Sequence, residues 1–330
     1  MIFDSGDKNI SVNFREFQAQ DTQAIIDLIC DEYKSSYRKR ELYSEENILY
    51  GDYKFYIAEL DDKKIIGVLA YKPFGTACEI TTGIILKEYR NFHIFRHFVK
   101  YVVDEVLRLE NVSAMIGRSV MYHSISQHLM SEIGFKPCGF IFSTILMENF
   151  HHSYNYDDNI KHPHAVIIKR GNKIDAGKIF LPEEFFNVAQ NVYKSIGVKI
   201  QLDSSENILS GESSIRLDDD LPQQNCNIFI DSIGADIIEK ILAVENSHVK
   251  PFQTFNIFLN INDKAAITAY KKLREIGYFF AGFEPICFEN EFMILHNPKN
   301  VAINFDTLSM TEEFNILKEQ VRNCYEQERN

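Results

Sequence analysis

The six cysteines of this 330-residue chain, Cys30, Cys78, Cys138, Cys226, Cys287 and Cys324, stand far apart, with no CxxC pair and no histidine at metal-ligand spacing. That pattern signals neither a structural zinc site nor a disulfide framework, and the thiols read as reduced. Long apolar runs are also missing, since the longest falls well short of the ~20 residues that span a bilayer. The N-terminal MIFDSGDKNISVNF lacks the basic start and apolar stretch of a secretory leader. The expectation is therefore a cytoplasmic protein with no membrane partner. Positive charge is scarce as well: 35 Lys and Arg against 47 Asp and Glu give a net charge of −12. This balance argues against a nucleic-acid partner held by bulk electrostatics and mildly favours a cationic one.

The length exceeds what one hydrophobic core usually serves, and an apolar fraction of 45% is enough for two. Val12 to Phe17 alternates like a strand, and Asp21 then caps a helix through Ile25, Ile26, Leu28 and Ile29. Phe55 to Ala58 and Ile65 to Ala70 flank the polar turn Asp61-Asp62-Lys63, which is a hairpin signal. Glu79 to Leu86 is a further strand, leading into a helix with apolar residues at Phe95, Phe98, Val99, Val102, Val103, Val106 and Leu107. Ala114 to Ile116 (strand), His123 to Ile133 (helix) and Phe140 to Met147 (strand) complete a β-α-β-β-β-α-β-α-β order over residues 1–150.

The polar stretch from His151 to Asp158 predicts a linker over 151–163, and an ordered loop is the alternative. Residues 164–330 then form a second domain. Strands at Ala165–Ile168 and Val198–Leu202 lead into a repeat of the earlier order: strand 227–230, helix 235–244, strand 255–261, helix 263–276 and strand 288–295. QHLMSEIGF, ending at Phe135, parallels KKLREIGYF, ending at Phe279, and each places a glycine C-cap before an aromatic strand. Asp218-Asp219-Asp220 reads as a solvated loop and Asp236 as a first-turn helix acid.

Four segments together resemble the GNAT N-acetyltransferase superfamily. The junction Ile84-Ile85-Leu86-Lys87-Glu88-Tyr89-Arg90-Asn91-Phe92-His93-Ile94-Phe95 is similar to the family's turn from fourth strand to long helix, with Arg90 in the leading position of its Arg/Gln-x-x-Gly-x-Gly/Ala loop. Such a loop turns backbone N–H groups at a helix start toward a pyrophosphate. His93 and Phe95 replace the two small residues. Tyr122 to Gln127, followed by Ile133-Gly134-Phe135, resembles the family's final block. Tyr37 to Tyr43 and Gly277 to Pro285 are similar to segments of a bacterial subgroup with two such domains.

The resemblance implies an α/β (α+β) fold class: tandem GNAT-like folds, each a mixed, mostly antiparallel sheet flanked by helices, the second copy degenerate. It implies acetyl-CoA, or another acyl-CoA, as cofactor, held by Ile84, Ile85, Leu86, Arg90, Asn91, Phe92, His93, Ile94, Phe95 and Ser126. The acceptor is then an amine of a small molecule or peptide, which must lose its ammonium proton before attack. Glu79 and His123 are the candidate bases, against readings as a strand-end glutamate and a loop histidine. Tyr37, Arg38 and Tyr43 are candidates for the acceptor pocket, against a surface helix whose long side chains reach for solvent. Met130 stands where many relatives place a tyrosine acid. His93 and His97 have the i, i+4 spacing of zinc ligands but no third ligand nearby. In the second copy, Asp231 and Asp236 would repel a pyrophosphate. Two readings stay open, an active N-acetyltransferase and an inactive scaffold that binds or senses.

Overall fold

The computed structural model describes residues 1–4, 9–34, 39–146, 161–171, 176–288 and 290–329. Tyr37, Arg38 and the stretch His151 to Asp158 lie outside them. The chain is mixed α/β, with mostly antiparallel sheet and flanking helices, and it divides into two compact units, Met1–Ile116 and Gly117–Asn330.

The first unit contains β1 (Ile2–Asp4), β2 (Asn9–Glu16), α1 (Thr22–Tyr33), α2 (Glu45–Tyr50), β3 (Lys54–Leu60), β4 (Ile65–Phe74), β5 (Ala77–Ile85), α3 (Ile94–Leu107) and the start of β6 (Ala114–Val120). Strands β1 to β5 pair in sequence order, all antiparallel, and β5 pairs parallel with β6. Strands β3 and β4 are buried along most of their length because both faces are covered. On one face Phe55, Ile57, Val68, Ala70 and Ile84 pack with Ile25, Leu28 and Ile29 of α1. On the other, α3 brings Phe98 against Phe14, ring centroids 4.9 Å apart, and Tyr101 against Tyr56 at 6.0 Å.

A buried ionic cluster ties this unit together. Arg15 on β2 binds both oxygens of Asp21 at 2.7 and 2.9 Å and Glu59 on β3 at 2.7 Å. Asp21 is 3% exposed and Glu59 4%. Burial opposes ionisation of Asp21, but its hydrogen bonds from Arg15 and the Gln18 N–H hold its carboxyl below the usual range. The hydrogen bond from Arg15 does the same for Glu59, helped by Lys63.

The second unit contains α4 (Ile125–Glu132), β7 (Lys136–Leu146), β8 (Lys161–Arg170), β9 (Ala176–Phe180), α5 (Phe186–Ser195), β10 (Lys199–Asp203), β11 (Ser214–Asp220), β12 (Asn225–Ser232), α6 (Ile237–Ser247), β13 (Thr254–Asn260), α7 (Ala266–Glu275), β14 (Phe279–Glu284), β15 (Phe292–Asn297) and α8 (Asn315–Arg329). Its main sheet runs β8-β7-β14-β15-β13-β12-β11, and β9 and β10 form a separate parallel pair. The order β5-α3-β6-α4-β7-β8 recurs later in the chain as β12-α6-β13-α7-β14-β15. Strands β7 and β14 meet at one registered pair, Gly139 with Gly282.

Three expectations are corrected here. The end of the expected linker, residues 161–163, belongs to β8, where the Lys161 ammonium is buried by the Gln224 and Phe252 carbonyls and the Thr254 hydroxyl at 2.9, 3.1 and 2.6 Å. Asp218 and Asp219 are exposed as expected, but the stretch Asp218 to Asp220 is not a loop: it is the end of β11, paired with Asn225 to Asn227. The strand expected at 288–295 begins only at Phe292, because the chain before it folds around buried Glu291, which accepts from the Ile286 N–H at 3.1 Å and the Tyr193 hydroxyl at 2.7 Å. Burial pushes the Glu291 carboxyl up to about 7.

Candidate functional site

The first unit carries the feature that distinguishes the two halves. Strand β5 is nine residues long, and among the described residues its ladder with β6 holds three pairs, Ala77 with Ala114, Cys78 with Met115 and Glu79 with Ile116. Past Glu79, β5 runs on through Ile80–Ile85 without that neighbour in register. The corresponding parallel pair in the second unit, β12 with β13, is zipped over six pairs from Asn225–Thr254 to Ile230–Leu259. A strand edge with unused peptide groups can hydrogen-bond an extended ligand, whereas a zipped pair cannot.

The segment between β5 and α3 begins as a 3-10 helix over Lys87–Phe92 and ends at His93, with φ 56° and ψ 21°. This left-handed conformation is one that glycine adopts without strain, so a histidine here keeps a glycine-like backbone. The His93 side chain is exposed, while Phe92 and Ile94 are buried. Phe95 is half-buried, and its ring lies over Gly83: a Cβ built on that glycine would sit 2.9 Å from Phe95 Cζ. The ring thus rests on the face of β5 that α3 covers.

Arg90 is exposed but engaged. Its Nε donates to the Ile85 carbonyl at 3.0 Å, and its Nη2 donates to Glu32 of α1 at 2.5 Å. Glu32 is a partner the sequence did not announce. Asn91 is exposed, Leu86 half-buried, and Ile84 and Ile85 are buried on opposite faces of β5. Glu79 is half-buried where the β5–β6 ladder stops, opposite Lys72 in the β4–β5 register. Tyr43 is half-buried and donates to the Lys34 carbonyl at the end of α1. Beside it, Tyr53 donates to Glu41 at 2.7 Å and lies under Lys39 Nζ, 5.2 Å from the ring centroid. His97 packs edge-on against Phe3 at 5.3 Å, a contact that accounts for its place on α3.

His123 and Ser126 belong to the second unit. Burial lowers the His123 pKa, so its ring is neutral at neutral pH, and Tyr122 stands edge-on to it at 4.7 Å. Ser126 Oγ is buried and makes no hydrogen bond among the described residues. Gln127, next to it, donates to the Val120 and Ser309 carbonyls at 3.2 and 2.9 Å and accepts from the Thr311 N–H at 3.2 Å, fixing α4. In the second copy, Asp231 is bound by Arg216 at 2.6 and 2.9 Å, and Asp236 by Lys240 at 2.9 Å and the Ser213 N–H at 2.7 Å. Neither acid is placed to be a lone repulsive charge.

No known protein family matches the sequence, and no curated protein matches it either. Among solved structures, the chain is similar to a spermidine N-acetyltransferase from Vibrio cholerae in complex with CoA and spermine, at 16% identity over 49% of this chain and 96% of that one, TM-score 0.39. It is also similar to the ribosomal-protein-S5-alanine acetyltransferase from Vibrio fischeri, at 14% identity over 52% of this chain and 98% of that one, TM-score 0.38. A third is NAA60 of Arabidopsis thaliana in complex with a bisubstrate analogue, at 13% identity over 49% and 99%, TM-score 0.39. No helix among the described residues is long and apolar enough to cross a membrane.

Proposed function

We propose that the first half of the chain is an acyl-CoA-dependent N-acyltransferase, with acetyl-CoA as donor and an amine of a small molecule or peptide as acceptor. The supporting observation is the β5–β6 ladder that stops at Glu79 while β5 continues for six residues, Ile80–Ile85. Pantetheine is an extended chain with two amides, and it suits such an edge. Its pyrophosphate then falls at the start of α3, where His93 keeps the backbone of a glycine. The tandem reading, with one copy in residues 1–150 and the other in 164–330, belongs to the same proposal, the second closed to CoA by its six-pair ladder. A cytoplasmic location goes with it.

In this reading Ile84 to Leu86 and Arg90 to Phe95 hold the cofactor, and Ser126 offers it an unused hydroxyl. Glu79 takes the acceptor's proton directly or through water, and His123, kept neutral by burial, is the second candidate. Tyr37, Arg38 and Tyr43 contribute to acceptor binding. The rival reading, a scaffold that does not turn over, draws on one observation: Arg90 already has a carboxylate partner in Glu32.

The test is calorimetric titration with CoA. Arg90→Ala should weaken binding by more than about tenfold, the worth of a charge-assisted contact, with melting unchanged. Glu32→Gln, which frees the guanidinium, should tighten it. Equal affinities for both variants and the parent would take Arg90 out of the site, and no heat at millimolar CoA would leave only the scaffold. Once an acceptor is found, Glu79→Gln should lower turnover by roughly 100-fold or more with CoA affinity intact. Undiminished turnover would pass the role of base to His123.

A further inference from the structure

Asp219, Cys226 and His248 converge in the second unit, outside everything the transferase reading uses. Asp219 and Cys226 are directly opposite each other on β11 and β12, so their side chains leave the same face of the sheet. His248 follows the last residue of α6, and its Nε2 lies 3.0 Å from Asp219 Oδ2. One ligand atom from each of the three residues lies within 4.8 Å of the other two. Cys226 is fully buried, His248 partly so, and Asp219 exposed, which leaves one solvent-facing side.

The histidine is held as metal-binding histidines are. Its Nδ1 is 2.8 Å from the Val244 carbonyl and 2.9 Å from the Ser247 hydroxyl, and the Phe255 ring stands at right angles to it at 6.2 Å. With Nδ1 donating to the Val244 carbonyl, Nε2 is the nitrogen turned to the cluster, where it donates to the Asp219 carboxylate a proton that an arriving metal ion would displace. Lys250, the cation nearby in sequence, is occupied by the Leu221 carbonyl at 3.1 Å.

We propose that Asp219, Cys226 and His248 bind a divalent transition-metal ion of the zinc type, with solvent in the fourth position. The donor set decides the metal class. A thiolate with an imidazole selects zinc or cobalt over magnesium or calcium, which prefer oxygen alone. Thiolate and carboxylate charges together neutralise a 2+ ion, and on binding the Cys226 thiol proton and the His248 Nε2 proton both leave to solvent. Three protein ligands with one open position is a recurrent zinc arrangement. The site pins the end of α6 to β11 and β12.

The experiment is a cobalt(II) titration of the full chain, stripped with chelator, in a Cys30→Ser, Cys324→Ser background that removes the two thiols not fully buried. One equivalent should produce a thiolate-to-cobalt charge-transfer band in the near ultraviolet, and zinc should abolish it. Cys226→Ser should remove the band. Asp219→Asn, at an exposed position that folds irrespective of the core, and His248→Asn should each weaken cobalt binding by roughly tenfold or more. No band in the unsubstituted site, a band that survives Cys226→Ser, or unchanged affinity in both Asp219→Asn and His248→Asn would overturn the proposal.

Discussion

Arg15→Ala is expected to destabilise the first unit by about 3–5 kcal/mol, the usual loss when one partner of a buried charge cluster is removed. The guanidinium answers two carboxylates that are nearly inaccessible to water, Asp21 at 3% and Glu59 at 4% exposed. Lys63 still reaches Glu59 at 3.0 Å after the substitution, but Asp21 keeps only the Gln18 N–H at 2.8 Å. The loss therefore falls on the joint where β2 turns into α1. Urea unfolding followed by hydrogen exchange in α1 and β3 measures it, and a loss below about 1 kcal/mol, the worth of an exposed ion pair, would mean that water reaches the cluster.

The pH dependence has a definite sign. Both carboxyls have folded pKa values below their unfolded ones. Their contribution is thus complete above the ordinary carboxylate range and is lost as pH falls through the depressed folded values. In Arg15→Ala the buried carboxylates lose their main counter-charge, burial dominates, and their folded pKa values rise. The variant should then gain stability on mild acidification, where the parent begins to lose it.

Gly282→Ala should cost the second unit a similar amount, roughly 3–5 kcal/mol, as the sum of two strains of about 1–3 kcal/mol each. Gly282 has φ +126°, which a side chain resists, and an added Cβ would lie 2.3 Å from the Gly139 Cα and 2.8 Å from the Cys138 carbonyl oxygen. Backbone cannot step aside as a flexible side chain can. Because Gly282 and Gly139 are the registered pair between β7 and β14, the damage should concentrate there. Faster hydrogen exchange in β7 and β14, with that of β12 and β13 unchanged, is the expected pattern, and uniform loss across the unit would contradict it.

What could be read from the amino acids was mostly what repeats along them. The apolar spacing of α3 and the polar turn at Asp61 to Lys63 gave a helix and a hairpin where the structure has them. The charged end of β11 reads as a loop because composition places aspartates in water, as Asp218 and Asp219 are, while only the facing β12 makes the stretch a strand. Helix α8 was missed, although Leu317, Val321 and Tyr325, buried at a spacing of four, carry its signal on an otherwise polar stretch.

The candidate site divides in the same way. That His93 and Phe95 stand where the resemblance implies small residues was plain in the sequence, but the left-handed backbone of His93 was not, since side-chain identity does not dictate φ there. Glu32 lies 58 residues from the arginine it binds, and no local pattern joins them. Nor does any residue type announce where a ladder stops, because the end of pairing between β5 and β6 depends on the paths of two strands.

That ending has a consequence for the protein on its own. Beyond Glu79, no registered β6 partner of β5 is found among the described residues, and strand edges without a partner are the places where chains join by accident as well as by design. Arg90, Glu88, Lys87 and Asn91, all exposed immediately after the strand, crowd its end with charge and polarity. Side chains of this kind are gatekeepers that discourage a self-complementary strand from docking.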